Sequence, residues 1–476
     1  MTEIDADKDE AFKAIKDSLE PAFSDPTEEQ QEAIDALDRQ TGFNPDPIPL
    51  VEAATTEIMD KYSFVTIQES EEIWYYKDGV YAPGGEIIIA KEAEYTYHFE
   101  INSSKVTEIK GHIMRLTYHA REEFDADINI INLNNGLYDW KNDELKEHSP
   151  DYLSMNQKSI VYDKNAKSKL FGKFLSQVIY PRDIRTCIDA IAYSFYRDYD
   201  QEVLFILFGI GRNGKTVFTS LLTHLLGSKN VSNVPLPAML SDRFALSDLE
   251  NKDANIDNEL THSTIKQTAA LKRLTGGSRQ PVRIERKNQK AYDSILYAKL
   301  FFNANKIPES DDMSDAYNRR VTIISFPNTF DGAREDKYLI SKLTTEPEIS
   351  GIFNVLMIAL RRILKNKELY VHEKTIEEKR IKYQMTVDPI QSFLDKAVSP
   401  DSTESDMEEK EIFYRAYNRF CIKHSLPIEK IETFGRLLKS KNLSDGRQSS
   451  GERKRYWKGV RLVPEYLLEM EQATID

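Results

Sequence analysis

Gly209-Ile210-Gly211-Arg212-Asn213-Gly214-Lys215-Thr216 is the stretch that most restricts what this chain can fold into. It fits G-x-x-x-x-G-K-[ST], a pattern that functions between a strand and a helix. Both neighbours suit that context. Val203 to Phe208 is an unbroken apolar run, as a buried parallel strand requires. Val217 to Leu226 repeats apolar residues at helical spacing and stops at Gly227. Gly209, Gly211 and Gly214 let the backbone curl so that successive N–H groups point inward. The helix N-terminus adds partial positive charge at the same spot. The sequence therefore predicts a phosphate cradle from Gly209 to Val217, with ATP as its ligand. Lys215 is expected on the β- and γ-phosphates, and the Thr216 hydroxyl on Mg2+.

The formal charge of the 476 residues is -14, which taken alone argues against a nucleic-acid partner. The charge is unevenly placed. Residues 1–40 carry 13 acidic and 4 basic side chains, whereas residues 431–464 carry 9 basic and 3 acidic. Each piece is therefore read separately. Cys187 and Cys421 show no metal spacing and no disulfide framework. Both fall in apolar helical patterns, which suits small buried hydrophobes in a reducing compartment. No apolar run is long enough to span a bilayer, and the acidic N-terminus lacks a signal-peptide core. The expectation is a cytoplasmic protein with no membrane partner.

Four regions follow from the patterning. Residues 1–60 read as an acidic, weakly helical tail broken by Pro21 and Pro26. Residues 61–190 read as an α+β accessory domain, with strand-like runs at Phe64–Ile67, Ile73–Tyr76, Ile87–Ile89 and Ile128–Leu133. Lys77-Asp78-Gly79 and Asn134-Asn135-Gly136 are turn signals between such runs, and Leu170 to Ile179 forms one helical face. Residues 191–385 alternate strands and helices around the glycine loop, which predicts an AAA+-like P-loop NTPase core with a parallel sheet. Residues 386–476 read as three helices followed by a basic hairpin around Ser449-Ser450-Gly451, a winged-helix domain.

A phosphate cradle alone does not hydrolyse ATP; it needs a carboxylate for the metal and water, a polar group near the γ-phosphate, and positive charge. Asp257 and Glu259 follow the strand-like Ala254-Asn255-Ile256. Asp257 is read as the metal ligand and Glu259 as the group that orients water. Asn305 ends the next apolar run and can bond the attacking water. Arg319 and Arg320 stand next in line, one of them to reach a neighbouring subunit's γ-phosphate. Between the strand of the acids and the run ending at Asn305 lies Arg279 to Lys290, with five basic residues and one acid. Its alternation reads either as a hairpin whose Arg283, Arg286, Lys287 and Lys290 touch DNA phosphates by charge or as a solvated basic loop.

These motifs together resemble the helicase part of virus and plasmid primase-helicases, the poxvirus-type branch of superfamily 3 helicases. The resemblance covers roughly residues 60–460. It rests on the loop at Gly209–Thr216, on Ala254 to Glu259, and on Leu271 to Gly277 with Glu285 to Asn288. It rests further on Lys299 to Asn305 with Pro308, and on Ala316 to Arg320. Upstream, Asn134-Asn135-Gly136 and His148-Ser149-Pro150 are similar to the family's accessory domain. The resemblance implies a hexameric ring with ATP at subunit interfaces. It implies single-stranded and forked DNA as partners, movement usually 3′ to 5′, and a separate primase or polymerase. Ser278 stands where the family often has an acid, and about 60 residues before the accessory domain leave no room for a primase, so no primer synthesis is expected. Two rival readings share these residues: a sequence-specific replication initiator and a double-stranded DNA translocase.

Overall fold

The structure is a computed structural model. It describes residues 49–260, 268–276, 281–287, 290–310, 312, 314–330, 332, 335–447 and 454–466. The predicted tail helices, Gly277 to Arg279, Asn288, and the turn at Ser449–Gly451 lie outside the described residues. Packing divides the chain into two units, one running up to Phe64 and including Gly84–Tyr118, the other formed by Val65–Pro83 with His119 onward.

The first unit is built on three helices: α1 (Leu50–Lys61), α2 (Gly85–Tyr97) and α3 (Ser103–Leu116). Asn102 caps α3, its side chain accepting from the Lys105 N–H at 3.0 Å. The Ile87–Ile89 run, predicted as a strand, lies within α2. Helical spacing buries Ile89 and Ala93 on one face and leaves Ile87 exposed. Packing against neighbouring helices here overrides the strand preference of a β-branched run.

In the second unit, β1 (Glu72–Lys77) and β2 (Val80–Pro83) pair antiparallel. Asp78 and Gly79 both take positive φ between them, the two-residue turn that their sequence predicts. A second hairpin joins β3 (Ile130–Leu133) to β4 (Gly136–Asp139), with β5 (Glu144–Lys146) and β6 (Gln157–Lys158) on its two sides. Helices α4 (Phe171–Val178) and α5 (Ile184–Tyr193) follow, and α4 buries Phe171, Phe174, Leu175 and Val178.

The central sheet comprises β7 (Leu204–Phe208), β8 (Val231–Ser232), β9 (Ala254–Asp257), β10 (Lys299–Ala304) and β11 (Val321–Ser325). All its pairings are parallel, in the spatial order β8-β9-β10-β7-β11. Helix α6 (Lys215–Leu226) packs on one face and α7 (Leu236–Ser241) on the other. Alternation sorts the strands between the faces. Phe205, Leu207, Ile256 and Phe301 meet Phe218 and Leu222, whereas Ile206, Phe208, Leu300 and Phe302 meet Leu236. The α6-side core also takes in Ile131, Tyr138, Phe174 and Cys187, and continues to Ile363 of the long helix Glu346–Asn366. The apolar packing therefore has no break near residue 190.

The chain then enters α8 (Ile376–Val387), opened by a capping box in which the Thr375 hydroxyl accepts from Glu378 N–H and the Glu378 carboxylate accepts from Thr375 N–H. Beyond it lie α9 (Pro389–Ala397), α10 (Lys410–His424) and α11 (Ile431–Ser440). A three-stranded antiparallel sheet accompanies them, with Met407–Glu409 and Ser444–Arg447 flanking Arg455–Lys458. The strand Met407–Glu409 is an addition to the three helices and hairpin read from sequence. Phe393, Phe413, Tyr417, Phe434 and Trp457 form a core of their own there.

Candidate functional site

The loop from Gly209 to Gly214 leaves the C-terminal end of β7 and opens α6, between a buried strand and a helix that buries Phe218, Leu221, Leu222 and Leu225. Two of its glycines are required by space. A Cβ at Gly209 would lie 1.9 Å from Asn213 Nδ2 and 2.7 Å from the Phe326 carbonyl. Gly214 has φ +90, and a Cβ there would come within 2.7 Å of Val178. Arg212 also takes positive φ, and its carbonyl accepts from the Phe330 N–H at 2.7 Å.

Lys215 is buried. Its ammonium donates to the Gly209 carbonyl at 2.5 Å and to Asn305 Oδ1 at 3.1 Å. Burial pulls its pKa down to about 8. The ammonium, the curled loop and the end of β10 thus meet at one point. They border a cavity of about 1040 Å³ whose lining includes Gly211, Lys215, Thr216, Glu259, Asn305 and Phe330. Ile210 is exposed at the loop's tip, and Val217 lines the same cavity.

The predicted acids separate. Asp257 is buried, with Oδ2 accepting from the Leu236 N–H at 2.9 Å and Oδ1 from the Glu259 N–H at 3.1 Å. Its side chain points to the α7 face, because Ile256 beside it points to α6. Glu259 is exposed in the cavity wall. Asn258, which sequence reasoning passed over, lies between them and lines the cavity together with Thr216. The alternation of Ile256 and Asn258 was the signal that could have singled it out.

Arg319 and Arg320 follow the short helix Asp315–Asn318 and share one carboxylate, that of Glu202. The Arg320 side chain is 6% exposed and also donates to the Ala316 carbonyl at 2.5 Å, whereas the Arg319 side chain is 43% exposed. Glu202 carried no motif and was missed in the sequence. No contact in the chain joins these arginines to the glycine loop among the described residues.

The predicted basic hairpin is formed by Pro281–Ile284 and Tyr292–Ile295, paired antiparallel from Pro281↔Ile295 to Ile284↔Tyr292. Val282 and Ile284 are buried, while Arg283, Lys287 and Lys290 are exposed. Arg286 is placed differently. Its guanidinium donates to Glu250 Oε2 at 2.7 Å, as does the Tyr292 hydroxyl at 2.7 Å, and that carboxylate is buried. Arg286 and Tyr292 lie at the turn end of the hairpin and therefore tie that end to a buried carboxylate, and Glu250 is a further residue that the sequence did not reveal.

Comparison with known proteins adds two family matches. Residues 57–179 match the family described as D5 N terminal like, and residues 207–320 match a family of unknown function, DUF5906. Among solved structures, the apo structure of the NrS-1 C terminal region aligns over 87% of this chain and 100% of that chain, at 14% identity and a TM-score of 0.45. An A form apo structure of the same region covers 86% of this chain and 98% of that one, at 12% identity and a TM-score of 0.44. No helix among the described residues is long and apolar enough to cross a membrane.

Proposed function

We propose that this chain is an ATP-dependent DNA helicase of a virus, plasmid or integrated element, with an AAA+-like P-loop core and a C-terminal winged helix. The observation that carries the reading is the Lys215 ammonium, held between the loop carbonyl of Gly209 and the amide of Asn305 at the mouth of a cavity. A triphosphate entering there meets an ammonium, the start of α6 and a polar side chain from a second strand. The strand order supports the same reading, since β10, ending in Asn303-Ala304, lies between the loop strand and the strand of the acids. The D5 N terminal like match at residues 57–179 agrees with the family resemblance.

The residues fit Mg2+ in part. Thr216 and Glu259 line the cavity, while the Asp257 carboxylate is engaged by backbone N–H groups on the other side of the sheet. The metal role read for Asp257 therefore has no support in this geometry. Bound Mg2+ would neutralise charge building on the phosphates. Lys215 holds the phosphate end, Asn305 and Glu259 orient water, and Arg319 supplies positive charge to the site of an adjacent copy in a hexameric ring. The exposed Arg283, Lys287 and Lys290 bind the backbone of single-stranded DNA. The helices and three-stranded sheet after residue 388 support a winged helix that holds forked DNA.

The decisive experiment is ATP hydrolysis and strand displacement on a forked duplex by the wild type and by Lys215→Ala. The wild type is expected to do both and Lys215→Ala neither. A discrete footprint with no strand displacement would favour the initiator, and triplex displacement on blunt DNA the double-strand translocase. Equal hydrolysis by the two proteins sinks the whole reading.

A further inference from the structure

We infer that the divalent cation accompanying the nucleotide meets, on the sheet side of Thr216, a pair of neutral amides, Asn258 and Asn303, in the place where a carboxylate would ordinarily stand. The inference rests on the nucleotide-binding reading above and concerns what that site does with its metal.

A phosphate-loop site usually holds its cation with the loop hydroxyl and an aspartate from a neighbouring strand. Side-chain alternation fixes where such an aspartate must be. It has to project toward α6, whose first turn carries Thr216. Ala254 and Ile256 project that way, into the core shared with Phe218 and Leu222. Asn258 is the next residue in that row, and it lines two cavities with Thr216, of about 1040 and 520 Å³. Asp257 is out of phase by one residue. Its two oxygens already accept backbone N–H groups, from Leu236 and Glu259.

On the adjacent strand the same row brings Asn303. Asp257 pairs with Phe302, so Asn258 stands level with Asn303, whose carbonyl accepts from the Leu260 N–H at 2.8 Å. The Asn303 amide nitrogen donates to Asn258 Oδ1 at 3.3 Å. That bond sets the orientation of the pair. Asn303 is 7% exposed, and among the described residues its Oδ1 has no partner. A buried acceptor left open beside Thr216 is what a cation's coordinated water would use. Mg2+ keeps several of its waters and is bound through few protein groups, so acceptors of this kind suffice. Neutral oxygens attract it less than a carboxylate does, and the nucleotide's own phosphates then supply most of the hold.

The test is Mn2+ binding to the full-length protein in the presence of a non-hydrolysable ATP analogue, followed by the EPR signal of free Mn2+. Asn258→Asp is expected to lower the Mn2+ concentration for half-saturation about tenfold, since a charged oxygen makes a bond roughly twice as strong. Asn303→Ala should raise it severalfold. Asp257→Asn, which keeps an acceptor for Leu236, should leave it unchanged in a protein whose thermal melt is intact. A raised requirement in Asp257→Asn, or no change in Asn258→Asp, overturns the inference while the nucleotide reading stands. Absence of analogue binding by the wild type, with or without Mn2+, removes both.

Discussion

At the scale of single residues, Lys215 links burial to pH. Burial sets its pKa at about 8, from an ordinary 10.5. Phosphate oxygens beside it would favour the charged form and draw a proton back. ATP affinity is thus expected to fall as pH rises through about 8, with proton uptake on binding. Titrations of a fluorescent ATP analogue on both sides of that pH, in buffers of different ionisation heat, check it. In the free protein the sign reverses. Between about 8 and 10.5 the unfolded chain binds more protons at this lysine, so its contribution to stability grows as pH rises. The arginines divide by exposure. Arg319→Ala is expected to keep ATP affinity and lose about a thousandfold in turnover, with rescue in mixed rings. Arg320→Ala, which removes a buried partner of Glu202 and Ala316, should show chiefly as a lowered melting temperature. Lys215 was legible because a motif fixes its place, and Asn305 because it closes an apolar run. Asn258 and Glu202 were not, since strand phase and a contact across more than a hundred residues decide them.

At the scale of elements, the hairpin Pro281–Ile295 separates anchoring from contact. Val282 and Ile284 face the core, Arg286 and Tyr292 hold Glu250, and Lys287 and Lys290 stay exposed. Lys287→Ala with Lys290→Ala should spare basal ATPase and abolish its stimulation by single-stranded DNA. The slope of log affinity against log salt should flatten by about 1.4, from roughly 0.7 per lost phosphate contact. Unchanged stimulation would remove the hairpin from the DNA path. Four strands of the central sheet were legible as short runs rich in apolar residues, whereas Val231–Ser232 is too short to leave such a pattern. Ile87–Ile89 misled because three β-branched residues look the same in a strand and in a helix that buries one of them. Arg286 reads as a DNA contact in the sequence because composition cannot tell a free charge in a hairpin's turn from one tied back to a buried carboxylate.

At the scale of the molecule, α8 connects two regions that sequence alone reads as separate. Lys379 donates to the Arg319 carbonyl at 2.7 Å, Arg380 to Asp315 at 2.6 Å, and the Tyr383 hydroxyl to the Pro308 carbonyl at 2.7 Å. On its other side, the buried Lys382 ammonium donates to the carbonyls of His424 and, at 2.9 Å, Ser425, where α10 ends. Tyr180 and Arg182 grip the same helix end through the carbonyls of Leu426 and Lys423. Lys382→Met would strand two carbonyls, at about 1–3 kcal/mol each. Faster hydrogen exchange across residues 410–424, at unchanged ATP affinity, is the expected result. Helix α8 is a stiff rod about 18 Å long, seated at one side on the backbone of Arg319. In the proposed ring, tension taken up by the layer after residue 388 would arrive at a neighbour's fuel site as torque on that arginine. Cutting the chain at Asp388 should then slow turnover while leaving the cradle itself intact.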